Sequence, residues 1–567
     1  MNPSIYYDRK PAPHPEASTV SRRTFLGAAA AAAVAASGYA LGDPPAPPPD
    51  FAANKEVRIE VPEKAIEESF RIAMRLTEDM RRLAYGRYGR DGWLAVSDGK
   101  NGPQHSYDPR DFHFGPKCAA YLWGHDAAFA QAMGLRIFQD QSDPSDGRLR
   151  WDGPLQCSIH LAQTAKHFSD YMAYAGQDAL VRDNWDRMLK TLKWGLSRYD
   201  PDQKGLIEQG PGITDHFWAL LVGEPTNFAE VENCGRDVVV VSSMEVYEWL
   251  KRAADFSASH NLEESEWLKS RAMQSHEAIE SAAWDPDAGY YYLLYRRPEQ
   301  RWQHSILGIN EESRELDATP YYAALLSGNP SRAAKVAAYA RSVLLDHNLF
   351  PMPLDYPTYC WLSPNYGSSY GGIPGGCWEE GYYNCTRAWS ECKMIDAVYE
   401  AVRRRSEAVA RDGDCVEWYT QDQGLPRGRD RYGISAGAHL AAIIESLFGI
   451  APAGFGFDEI NLHPNLPAKW AGKTSTIRVT LPGNGYLEYS HLFDPAKKLV
   501  TLTISTDRPR AAHLRVFVPT PVAGSKVKWN AEPTRFVSAQ HADGGCFVYL
   551  DRPIRQDKLE IPLALPA

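Results

Sequence analysis

The chain has 567 residues, 44% hydrophobic and 23% charged, a composition that supplies a sizeable core and excludes disorder, collagen and coiled coil for its bulk. Its formal net charge is −10 with no long basic block, so nucleic acid is not an expected partner, because neutralising phosphates takes clustered Lys and Arg. The excess lies in 16 tryptophans and 30 tyrosines, amphipathic rings that suit cores and also stack on sugar faces.

Residues 1–40 read as an export signal. Arg22-Arg23 with Phe25-Leu26 behind them precede the alanine-rich stretch Ala28–Ala36 and a small-residue cleavage site near Ala40, the pattern of a twin-arginine signal. The alternative is a chance arginine pair before a surface helix. Residues 41–61 form a Pro-rich spacer and lead-in. No later stretch is long and apolar enough to span a membrane, so the expected location is periplasmic or extracellular.

From Pro62 to about residue 450 the period is helical. Ile66, Phe70, Ala73 and Met74 share one face of the first segment. Further helices are expected at Lys117–Phe138, Leu155–Ala175, Ala179–Arg198, Val238–His260, Glu263–Trp284, Thr319–Leu326, Ser331–His347, Thr386–Ala410 and Gly437–Phe448. Between them lie long loops rich in Trp, Tyr, Gly and acids: Gly86–Gly115, Asp200–Asp237, Arg296–Leu316, Leu349–Asn384 and Asp412–Ser435. Loops of this length in a compact domain are usually functional. The expected fold is mainly α with a C-terminal all-β domain: a six-hairpin α/α toroid over 62–450 whose loops gather at one mouth, then a β-sandwich over 451–567. In that last part Ile477, Val479 and Leu481 alternate, Pro482–Gly485 turns, and Leu487 and Tyr489 alternate again.

All nine cysteines lie beyond the signal, with no Cys-x-x-Cys pair and no His-Glu-x-x-His. Buried thiols with at most one bridge are expected, and neither metal nor cofactor. Oligomeric state is not legible.

Glycosidic cleavage usually takes two carboxyl groups, so acids on the aromatic loops are the candidates. Asp215 lies in an apolar, glycine-bent loop before Phe217 and Trp218, which would desolvate it and raise its pKa as a general acid requires. A helix N-cap is the competing role. Glu417 lies between Val416 and Trp418-Tyr419, with a salt bridge to Arg427 or Arg429 as the alternative. Glu379 and Glu380 follow the glycine-rich Gly371–Trp378, and Glu380 is the reserve candidate.

The order of these segments resembles the six-hairpin glycosidases, above all the family of processing α-glucosidase I and mannosylglycerate hydrolase, with trehalase as a more distant cousin. His113-Phe114-Gly115 through Trp123-Gly124-His125-Asp126 is similar to the family's first mouth loop. Gly205-Leu206 through Thr214-Asp215 is similar to its segment carrying the general acid, and Glu417-Trp418-Tyr419 to its segment carrying the base. Gly449–Pro467 is similar to the helix-to-sandwich junction of related rhamnosidases. The resemblance implies an inverting, exo-acting hydrolase of an α-linked glycoside. Asp215 and Glu417 would be catalytic, and Trp123, His125, Asp126, Trp378, Glu380 and Tyr419 would line the sugar subsite. Trp378-Glu379-Glu380-Gly381 departs from the family's Trp-Arg-Gly-Pro, and the trehalase signature Gln-Trp-Asp is missing. Two other classes stay open: a polysaccharide lyase using Tyr292 or Tyr383 with His160, and a non-catalytic glycan-binding protein.

Overall fold

The computed structural model describes residues 56–88, 114–124, 142–149, 158–174, 178–208, 237–297, 300–304, 314, 316, 318–346, 376–420, 425–427, 430–523, 526–541 and 545–564. Residues 1–40, expected to be an export signal, lie outside them. The chain comprises a helical part and a large, mostly antiparallel sheet at its C-terminal end.

Among the described residues, six helices pack as successive neighbours. Gly115–Leu122 lies against Ser158–Tyr174, that against Val240–Ser259, and then follow Ala318–Leu325, Glu379–Glu391 and Gly433–Ala441, which returns to Gly115–Leu122. A second set packs outside these. Lys64–Tyr88 covers Gly433–Ala441, Ser265–Ala282 covers Val240–Ser259, Pro330–Arg341 covers Ala318–Leu325, and Ile395–Asp412 covers Glu379–Glu391. The face expected from the first helix is the one that packs: Ile66, Phe70 and Ala73 are buried and Met74 partly so.

Five of the six inner helices send their C-terminal ends toward the sheet or the chain leading into it. Tyr121 donates to Ile450 O at 2.8 Å, Gly456 N to Ala173 O at 2.9 Å, and Asn465 N to Leu447 O at 2.9 Å. Phe256 meets Phe455 edge-on at 5.3 Å, and Arg515 reaches Ser390 O at 2.7 Å. The long loops read from the sequence therefore enter helices at the opposite, N-terminal ends.

The sheet follows the expected alternation. Ser475–Leu481 buries Ile477, Val479 and Leu481 and pairs with Gly485–Asp494 around Gly483 and Asn484, both at positive φ. The strand Leu499–Val518 pairs along its length with Cys546–Pro562. It takes Gly485–Asp494 as its other neighbour in the first half and Glu459–Leu462 in the second, with a register shift between Ser505 and Arg510. Arg58–Glu60, just ahead of the first helix, adds a strand to the same sheet beside Ser475–Leu481.

Three helices are shorter than periodicity predicts. The one expected through Phe138 stops at Leu122, because Gly124 turns onto the sheet: its N–H donates to Thr480 Oγ1 at 2.9 Å, and a Cβ there would stand 2.4 Å from Leu481 O. The one expected over Ala179–Arg198 is two, Asp178–Asp183 and Trp185–Tyr199, parted at Asn184. The one expected over Thr386–Ala410 is also two. Glu379–Glu391 ends where Met394 N bonds Trp389 O and Lys393 N bonds Ser390 O, with Lys393 at φ 64°, and Ile395–Asp412 then begins. Val238–Val239 is a short strand, and the helix starts at Val240.

Candidate active site

Two of the loop candidates meet in a small sheet. Gly376–Trp378 pairs antiparallel with Trp418–Thr420, which pairs in turn with Pro426–Arg427. The pairing ties the loop entering Glu379–Glu391 to the loop entering Gly433–Ala441. Glu417, one residue before this sheet, is buried at 6% exposure. Glu380 lies in the first turn of Glu379–Glu391, and Trp378 stands directly before that helix; their side chains are outside the described set. The Glu417 segment is fixed at its base, where Tyr432 N donates to Cys415 O at 2.8 Å and Arg431 N to Asp414 Oδ2 at 3.0 Å. Burial pushes the Asp414 carboxyl up despite those bonds.

Asp215 lies outside the described residues, but the chain on either side of it is clear. Glu208 bridges Val238, and Val239 N donates to Ile207 O at 2.9 Å, so the ends of the 209–236 segment run side by side. Arg297 fastens both: it pairs with Glu208 through its guanidinium and donates its N–H to Asp237 Oδ1 at 2.9 Å. The segment thus leaves and re-enters at the N-terminal end of Val240–Ser259.

Two expected subsite walls are buried rings. Trp123 is fully buried at the sheet end of its helix, with the Arg81 guanidinium 4.9 Å from its ring centroid. Tyr419 is fully buried under Arg405, 4.9 Å from ring centroid to guanidinium carbon. Both rings serve packing rather than an open sugar face. His125 and Asp126 lie outside the described residues.

The sequence reading missed a polar core among the inner helices. Glu445, buried on the π-helical turn Ala442–Leu447, accepts from Tyr174 at 2.6 Å and Tyr121 at 3.2 Å on Oε1, and from Tyr383 at 2.7 Å on Oε2. Arg387 lies 3.5 Å from the same carboxylate and donates to Glu445 O at 3.0 Å. Lys117 pairs with Asp170 nearby, and Glu248 pairs with Arg252 at 3.0 Å. Each buried charge has an opposite partner, as burial requires. No motif marks these residues; a lone acid in the run Ala441–Leu447 reads as an ordinary helix position. A narrow crevice among the same helices is lined by residues that include Lys166, Glu248, Tyr321 and Asn384.

The phenols weighed for lyase chemistry are poorly suited to proton abstraction. Burial and the Glu445 charge hold Tyr383 well above its ordinary range, and burial with Asp285 raises Tyr292. His160 has no described side chain. Cys118, Cys385, Cys392, Cys415 and Cys546 are free thiols. Among the described residues no group of three His, Cys, Asp or Glu is arranged to hold a metal, and no helix is long and apolar enough to cross a membrane.

In fold, the chain is similar to rhamnosidases of known structure. The GH78 rhamnosidase of Bacillus sp. GL1 superposes with a TM-score of 0.54 at 15% identity, over 80% of this chain and 42% of its own. The α-L-rhamnosidase of Streptomyces avermitilis, complexed with L-rhamnose, gives 0.54 at 12% identity, over 89% and 42%. The chain thus spans less than half the length of either. The GH63 mannosylglycerate hydrolase of Thermus thermophilus, in complex with Tris, gives 0.46 at 13% identity, over 65% of this chain and 98% of its own, a likeness too weak to carry an argument. No family model and no curated protein matches the sequence.

Proposed function

We propose that the chain is an exported, inverting glycoside hydrolase, exo-acting on an α-linked glycoside or oligosaccharide. The observation that carries this reading is the cycle of six inner helices whose long acidic and aromatic loops enter at the ends away from the sheet, in a fold shared with rhamnosidases. In this reading the cycle is an α/α toroid, the C-terminal sheet folds over as a β-sandwich, and the loops form the mouth of a sugar pocket.

Asp215 protonates the leaving glycosidic oxygen. Glu417 takes a proton from the water that attacks the anomeric carbon on the opposite face, which calls for a separation of roughly 6.5–9.5 Å between the two carboxyls. Trp378, Glu380, His125 and Asp126 contribute to the sugar subsite. The raised phenols of Tyr383 and Tyr292 favour hydrolysis over the lyase route, which needs a readily ionised base.

A panel of aryl glycosides and oligosaccharides, followed by NMR of the first-formed anomer, tests the reading. Release of a sugar of inverted configuration is expected. An ultraviolet-absorbing unsaturated product would indicate a lyase instead, and saturable binding without turnover a glycan-binding protein. N-terminal sequencing of the secreted chain, with and without Arg22→Lys and Arg23→Lys, tests export.

A further inference from the structure

Val238–Val239, Leu294–Arg296 and Arg301–Gln303 form a three-stranded antiparallel sheet at the N-terminal end of the inner helix Val240–Ser259. Alternation along the strands gives this sheet two unlike faces. Val239, Leu294 and Gln303 stand in one row across it, and all three are buried. Val238, Tyr295 and Trp302 stand in the next row, where Val238 is buried and the two rings are half-buried.

Trp302 is held in place by its neighbours. Tyr292 stacks on it, with 5.7 Å between centroids and 22° between planes, and rests in turn on His304 at 4.5 Å. The His304 ring is fixed by Asp285 Oδ2 at 2.8 Å and by Tyr291 O at 3.2 Å. Tyr295 meets Trp302 at 5.0 Å and 51°, so these two rings open from one another. Neither the Trp302 indole N–H nor the Tyr295 hydroxyl has a hydrogen-bond partner among the described residues. Trp123 and Tyr419, the walls expected from the sequence, are closed into the core, whereas this pair is left half open. Flat apolar rings edged by unused polar atoms match the C–H face and the hydroxyls of a sugar ring.

The position of the pair fits that chemistry. Arg297, at the end of the same strand, clasps Glu208 and Asp237, so the rings stand beside both ends of the 209–236 segment. The Glu417 segment enters the helix three places further round the cycle of inner helices, at the same N-terminal end. We propose that Trp302 and Tyr295 form a sugar-binding face at the rim of the candidate site, which takes the sugar on the leaving-group side of the scissile bond. The assignment rests on the exo-acting hydrolase reading: where a pocket admits only the terminal sugar, the rest of the substrate lies on its rim.

The test follows the Trp302 indole N–H signal of nitrogen-labelled protein by NMR, assigned by its loss in Trp302→Phe. The probes are trisaccharides of α-linked glucose, mannose and rhamnose, with hydrolysis read from the sugar signals of the same samples. At least one trisaccharide is expected to shift the indole signal saturably, and the matching monosaccharide to shift it far less. Trp302→Ala should also lower the ratio of kcat/KM on that trisaccharide to kcat/KM on the matching glycosyl fluoride by about 2–10-fold, because fluoride has no ring to stack. Hydrolysis of a trisaccharide with the indole signal unmoved would overturn the proposal, and so would an unchanged ratio in Trp302→Ala. The titration uses the native chain, so it decides even if the alanine variant does not fold. A saturable shift without hydrolysis would keep the sugar face and discard the hydrolase reading. Neither shift nor hydrolysis with any of the probes would discard both.

Discussion

Trp378 stands directly opposite Trp418 in an antiparallel pair, so the next residues along the two strands, Glu379 and Glu417, leave that pair side by side. In sequence the glycine-rich loop and the Glu417 loop are separated by the whole of two helices. The three-stranded sheet brings them together at the N-terminal ends of Glu379–Glu391 and Gly433–Ala441. The backbone positions of Glu380 and Glu417 therefore lie on either side of one small sheet, and the roles of the two residues are separable by experiment.

Glu417→Gln is expected to lower turnover by roughly 10²–10⁴-fold on natural glycosides and on aryl glycosides alike, since water activation does not depend on the leaving group. Glu380→Gln should act mainly on KM if Glu380 holds sugar hydroxyls. Steady-state kinetics on one aryl and one natural substrate decides between them. The reverse ranking would make Glu380 the base.

Asp215→Asn should show the opposite leaving-group dependence. Loss of a general acid costs roughly 10²–10⁴-fold where the departing oxygen needs a proton, and much less where it leaves as a stable phenolate. The measurement is kcat/KM across aryl glycosides of graded phenol acidity. A loss that is uniform across the series would remove Asp215 from that role.

The fold was legible where burial follows a simple period. The face containing Ile66, Phe70 and Ala73 and the alternation of Ile477, Val479 and Leu481 both come from one side of an element meeting the core. The break after Glu391 was not, because Lys393 adopts the left-handed backbone usually marked by glycine, and apolar residues continue on both sides of it. The candidate site was legible only as loops. Residue type does not separate an aromatic wall from an aromatic core, and the full burial of Trp123 and Tyr419 follows from Arg81, Arg405 and the sheet, all distant in sequence.

Lys393 gives a direct stability test. Relief of a left-handed non-glycine residue is worth about 1–2 kcal/mol, against about 0.5–1 kcal/mol for the Lys393 ammonium lying near the Phe547 and Tyr549 rings. Lys393→Gly should therefore leave stability unchanged or raise it by up to about 1 kcal/mol in urea unfolding. A clear loss would mean that the ring contacts outweigh the backbone term.

Glu445→Ala should be far more costly. It leaves Arg387 with Glu391 as its remaining counter-charge and takes the acceptor from the Tyr174 and Tyr383 hydroxyls, and breaking such a buried network costs about 3–5 kcal/mol. Tyr174→Phe removes a single donor and should cost nearer 1 kcal/mol. Equal effects in denaturant unfolding would show that the network does not hold the inner helices together.

Acid should weaken the protein well above the range where carboxylates titrate. Burial lowers the pKa of His439 to about 3, of His463 to about 3 and of His491 to about 4, each from an ordinary 6.5, with Arg405 and Arg515 adding to the first two. A depressed histidine stays neutral in the folded chain while the unfolded chain takes up its proton. Its stabilisation is complete above pH 6.5 and is lost as the pH falls toward the folded value. Over that window each such group lowers the unfolding free energy by about 1.4 kcal/mol per pH unit. His513 has the opposite sign: Asp551 and Glu459 raise its pKa, so its small, solvent-screened contribution is present below pH 6.5 and fades above. Urea unfolding measured from pH 7 down to pH 5 should therefore show falling stability, and His439→Gln should reduce the slope by about 1.4 kcal/mol per pH unit. An unchanged slope in that variant would mean that His439 takes up its proton in the folded protein.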